Sequence, residues 1–102
     1  LQIGGYQVSA GPDGPGETYF ATKAGAVALV VVHEYQEGEH PELSESAVNA
    51  FVIAVAQTNP ERALLITDMF SPYVVYEKER SDPRCRFITR ERLQPFVDSF
   101  AL

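Results

Sequence analysis

Basic residues are scarce at the start of this chain. Residues 1–61 hold only Lys23 against eight carboxylates, and the whole 102-residue sequence has a net charge of −6. Phosphate contacts rest on Lys and Arg, so this balance excludes a uniformly basic nucleic-acid binder. Cysteine is scarcer still. Cys85 stands alone, so no intrachain disulfide can form and no CxxC pair can build a zinc ribbon or finger. A lone thiol fits a reducing, intracellular (cytoplasmic) setting. No apolar run approaches the ~20 residues that cross a bilayer, so no membrane partner is expected. The opening LQIGGYQV lacks the basic start and apolar stretch of a secretory leader. Beginning at Leu1 rather than Met, the chain reads as a domain taken from a longer protein.

What is present describes one globular domain over residues 1–102, with 45% hydrophobic and 22% charged residues. The charge is polarised. Residues 62–102 hold seven basic and six acidic side chains, and six of the eight basic residues fall between Lys78 and Arg92. The most informative stretch is AVALVVVHEY, residues 26–35. Its uniformly apolar, β-branched run predicts a strand buried on both faces, ending in His33, Glu34 and Tyr35. Open α/β sheets keep their chemistry at such strand ends.

The other elements fall into place around that strand. Residues 6–9 and 17–23 read as strands, separated by the Gly/Pro-rich turn of residues 11–16. With Ala24-Gly25 turning the chain into residues 26–35, they predict an antiparallel meander. Ala47, Val48, Phe51, Ala54 and Val55 recur at helical spacing over residues 44–58, with Ser44 as N-cap and Asn59-Pro60 as the stop. ALLIT at 63–67 is a second buried strand, so strand, helix and strand form a parallel βαβ crossover. Ser71-Pro72 predicts a helix over 73–80. Residues 84–88 alternate as an edge strand, with Arg84 and Arg86 opposite Cys85 and Phe87. Thr89 then caps a final helix, with Ile88 stapled to Leu93 and a kink or restart expected at Pro95.

In this order the chain resembles the Mrr-like restriction endonucleases, a branch of the PD-(D/E)XK nuclease superfamily. Gly5-Tyr6-Gln7-Val8 fits the family's first strand, and Asp13-Gly14-Pro15-Gly16-Glu17 fits its turn, with Glu17 in the aspartate's place. Val31-Val32-His33-Glu34-Tyr35 falls where the family carries Gln-x-Lys and its tail. The helix, the ALLITD strand, Phe70-Ser71, RFIT and the terminal helix follow in register. The resemblance implies a restriction-endonuclease-like three-layer α/β/α fold around a mixed sheet of about five strands. It also implies catalytic positions at Glu17 and His33, with Glu17 as a metal ligand and Mg²⁺ as the cofactor of any active form.

Those positions have changed chemically. Mg²⁺ needs several oxygen ligands, and Val31 offers none. His33 stands in the lysine's place, where an imidazole is a weaker cation than an ammonium at neutral pH. The expected metal site is therefore broken, and no cofactor is expected. Arg84, Arg86, Arg90 and Arg92 form the candidate nucleic-acid patch. Glu34, Glu37, Glu39, Glu42 and Glu45 read as a hydrated acidic loop. The expected function is a degenerate, catalytically inactive nuclease-fold domain. It would bind DNA, a protein partner or a second copy within a larger protein of DNA restriction, defence or repair. Two alternatives stand beside it. One is an active Mg²⁺-dependent DNA endonuclease with a migrated site drawn from Asp13, Glu17, His33 and Glu34. The other is a small-ligand sensor near His33 and Asp68.

Overall fold

The computed structural model describes residues 2–3, 6–10 and 17–99, so the Gly-rich turn with Asp13 lies outside the described residues. Six strands follow one another across a single sheet in chain order: β1 (Gln2–Ile3), β2 (Tyr6–Ala10), β3 (Glu17–Lys23), β4 (Ala26–His33), β5 (Arg62–Thr67) and β6 (Cys85–Ile88). Five of them are substantial, and β1 adds two residues at one edge. The first four strands pair antiparallel; β4, β5 and β6 pair parallel. The expected meander and crossover are both present. The β3–β4 hairpin closes on Ala24 and Gly25 alone, both at positive φ (53° and 84°). A two-residue turn of that hand matches the strand twist, and Gly25 adopts it without steric cost.

Parallel pairing needs crossovers. α1 (Glu45–Thr58) links β4 to β5, and α2 (Val74–Ser81) links β5 to β6. The Ser44 hydroxyl accepts from the Ala47 N–H at 3.2 Å, satisfying one free donor of the first turn. Asn59 ends α1 in the left-handed conformation. Strand order advances in one direction, so two right-handed crossovers put both helices on the same face. The core there joins Ala47, Val48, Phe51 and Val55 of α1 and Val75 of α2 to Leu29, Val31, Leu65 and Phe87 of the sheet. The Phe51 and Phe87 rings meet edge to face at 5.1 Å.

The third layer is α3 (Arg90–Asp98), which lies against β5 and β6. Ile88 points to the face opposite Phe87 and is buried there. Three local expectations change. α3 runs through Pro95 without restarting, because Pro95 removes a single intrahelical donor at an exposed position. Thr89 precedes α3 but makes no capping bond, since its hydroxyl pairs with that of Ser71 at 2.5 Å. Tyr73, rather than Ser71, is the residue at the start of α2. The Ser71 N–H is instead held by the Glu91 carboxylate at 3.2 Å. No helix among the described residues is long and apolar enough to cross a membrane.

Candidate functional site

The structure separates the two positions that the resemblance would bring together. Glu17 pairs with Val32, whereas Thr18 pairs with Val31 and His33 with Thr67. Paired residues share a sheet face and alternate ones share the next row, so Glu17 lies on the face opposite Val31 and His33. The Glu17 carboxylate is occupied by the Tyr19 hydroxyl, which donates to it at 2.7 Å. That bond, with some burial, raises the Tyr19 pKa, because losing the proton would set two anions side by side.

The face with His33 suits Mg²⁺ no better. Thr18 Oγ1 is buried there without a hydrogen-bond partner among the described residues. One neutral hydroxyl beside Val31 is far from the oxygen-rich shell that Mg²⁺ takes. No group of three or more His, Cys, Asp or Glu side chains able to hold a metal exists among the described residues. Beyond His33, the polar groups brace the backbone. The Tyr35 N–H donates to Asp68 Oδ1 at 2.8 Å, its hydroxyl donates to the Glu39 carbonyl at 3.2 Å, and Thr67 Oγ1 accepts from the Met69 N–H. These residues do not fit the metal.

The arginines behave differently. Arg84, Arg86 and Arg92 line one open cleft of about 520 Å³ at the β6 edge, and Arg62, which the sequence reading did not single out, joins them. Register explains its presence. Arg62 and Leu64 alternate onto one face of β5, and Leu64 pairs with Arg86. β5 starts at Arg62, one residue before the apolar run of residues 63–67 that marks it in the sequence.

Two of the four guanidiniums are committed. Arg84 binds Asp82 through two bonds of 3.0 and 2.9 Å and reaches Asn59 Oδ1 at 2.8 Å, tying the end of α1 to the turn before β6. This pairing lowers the Asp82 pKa and raises that of Arg84. Arg92 donates to Glu79 Oε2 at 2.6 Å and to the Phe87 carbonyl at 3.0 Å, while the same Glu79 oxygen accepts from the Phe87 N–H at 3.0 Å. The pair thus seals the outer side of β6, which would otherwise offer bare backbone groups to another strand. Glu79 raises the Arg92 pKa, since removing the proton would break the ion pair.

The Arg62 and Arg86 side chains are exposed, and their guanidiniums make no ion pair or hydrogen bond with the described residues. Arg90 lies apart from the cleft, its guanidinium 5.3 Å from the Phe70 ring centre. The sequence-predicted patch therefore divides into one free arginine (Arg86), two anchored ones and one aromatic partner. Comparison with protein-family models, curated proteins and solved structures finds no match for this chain.

Proposed function

We propose that this domain is a non-hydrolytic binding module for nucleic acid, built on a degenerate nuclease fold. The observation that carries it is the pair Arg62 and Arg86: two unpaired guanidiniums on one sheet face, in a cleft whose other two arginines are already fixed in place. Guanidinium forks match phosphate oxygens, and a local excess of arginine concentrates a polyanion despite the net charge of −6. The resemblance to Mrr-like nucleases supplies the context, a larger intracellular protein of DNA restriction, defence or repair. The poor fit of Glu17, Val31 and His33 to Mg²⁺ supports binding without cleavage.

The test is fluorescence anisotropy with labelled DNA over a salt series, comparing the native domain with the R62E/R86E variant. The expected result is at least a tenfold loss of affinity and a salt slope shallower by about 1.4 to 1.8, as for two lost phosphate contacts. Unchanged affinity and slope would overturn the reading.

A second reading has its own observation. Val8, Ala21, Ala28, Val30, Val32 and Leu64 form a half-exposed apolar surface on the face that carries Arg62 and Arg86. A surface of that kind suits protein contact, including contact with a second copy.

A further inference from the structure

Phe70, Tyr73 and Tyr76 stand on the segment that leads from β5 into α2, and two of these rings already carry a cation. The Arg90 guanidinium carbon lies 5.3 Å from the Phe70 ring centre, and that of Arg92 lies 5.5 Å from the Tyr76 ring centre. Tyr73 meets Tyr76 edge to face at 6.5 Å. Among the described residues no cation sits over the Tyr73 ring and no hydrogen bond holds its hydroxyl. It is also the most open of the three, at 77% exposure. Tyr73 lines a hollow of about 350 Å³ between the N-terminal ends of α1 and α2. Leu43, Pro72 and Val74 give this hollow an apolar floor, and the exposed Glu42 and Glu45 stand at its rim. Neither carboxylate makes an ion pair or hydrogen bond with the described residues. The backbone of the wall is held in place. The Glu42 N–H donates to His40 Nδ1 at 3.2 Å, and the Leu43 N–H donates to the Phe70 carbonyl at 2.9 Å. The neighbouring chain supplies no counter-charge, since residues 24–61 hold six glutamates and neither lysine nor arginine.

We propose that this hollow docks a lysine or arginine side chain from an extended basic segment of a partner protein. The methylene stem lies on Leu43, Pro72 and Val74, and the cation meets the Tyr73 ring and the Glu42 and Glu45 carboxylates. Long cationic side chains bury their stems on apolar surface while keeping the charge at the rim. An aromatic face attracts a cation, and this chain makes that contact twice on the two rings beside Tyr73. Complementary charge also selects the occupant. Two unpaired carboxylates repel a phosphate, and an uncharged peptide leaves them without a match. The hollow is separate from the arginine cleft, because α1 and α2 cover the sheet face opposite Arg62 and Arg86. One domain can therefore hold a nucleic acid and a basic partner together, and the docking of the partner does not rest on the nucleic-acid reading.

The experiment measures fluorescence anisotropy of a labelled octapeptide alternating arginine and glycine, at physiological ionic strength. It compares the native domain with Tyr73→Ala, Tyr73→Phe, E42Q/E45Q and E34Q/E37Q, the last removing the same charge outside the hollow. Circular dichroism melts check that each variant folds. Tyr73→Ala should weaken binding about two- to fivefold, the range of one exposed cation–π contact, whereas Tyr73→Phe keeps a ring and should retain binding. E42Q/E45Q should lose about two- to thirtyfold, as for two surface ion pairs, and E34Q/E37Q less than about twofold. Absence of binding, or binding indifferent to Tyr73→Ala, overturns the proposal. Equal losses in the two glutamine pairs also overturn it, since net charge alone would then explain the binding. Sedimentation of the native domain without peptide should show a monomer. Self-association abolished by Tyr73→Ala would place a second copy in the hollow and overturn the assignment to a partner protein.

Discussion

The two faces of the parallel half of this sheet differ in what covers them. On one, Leu29, Val31, Leu65 and Phe87 lie under α1 and α2 with at most 3% exposure. On the other, Val30, Val32, Leu64 and Ile66 alternate with them along the same strands and are only half-buried, with Arg62 and Arg86 beside them. Both helices lie on one side because the strand order never reverses across β4, β5 and β6. Two helices therefore cover one face, whereas α3 covers only the β5–β6 part of the other, where Ile88 is buried, and the rest of that face is left for contact. Substitutions can separate these roles.

The largest effect should come from the covered face. Phe51→Ala removes a fully buried ring that packs on Phe87, and it should cost about 3–5 kcal/mol in urea unfolding. Val30→Ala, on the open face of the neighbouring strand, should cost about 1 kcal/mol, since water already reaches that side chain. Equal losses would break the comparison and show that something covers the open face in solution. A concentration-dependent melting temperature would then identify a second copy as the cover.

A smaller effect belongs to the sheet edge. Glu79→Ala leaves the Phe87 N–H without its acceptor and Arg92 without its anion, and should cost about 2 kcal/mol. Glu79→Gln keeps an acceptor for the N–H and should lose about half of that. Light scattering should also report self-association of the Ala variant, because an uncapped edge strand recruits other strands. If Ala and Gln behave alike and neither associates, Glu79 is not the cap of β6.

Much of this architecture was legible from residue patterns, for reasons that also explain the misses. Leu29 and Val31 lie in an uninterrupted apolar run, and such a run has few alternatives to a buried strand. Ser44 and the spacing of Val48, Phe51 and Val55 define α1 from local chemistry alone. Glu17 was different. Its face depends on which residue of β4 it meets, and a slip of one residue reverses every side chain. The arginines showed the other kind of gap. Alternation placed Arg84 and Arg86 together, but not Asp82 bonded to one and nothing bonded to the other. Arg62 became visible only when parallel register set β5 beside β6.

The smallest expected effect distinguishes an anchored arginine from a free one. Asp82 has its pKa lowered chiefly by its hydrogen bond to Arg84, so the folded state holds this proton more weakly than the unfolded chain does. The unfolded chain therefore binds the proton first as pH falls, near its ordinary value of about 3.9. The stability from the pair is complete above that value and is lost as pH falls toward the lower folded value. Both side chains are about one-third exposed, so solvent screening keeps the pair's contribution small. Urea unfolding of the native domain and Asp82→Asn between pH 2 and 6 should show the native domain losing slightly more stability below pH 4. A steeper acid loss in the variant would reverse the sign and remove Asp82 as the anchor. Arg86→Gln should leave the same acid profile unchanged, because no carboxylate holds Arg86 among the described residues. That contrast ties the acid profile to the anchor at Arg84 and leaves Arg86 available to a phosphate.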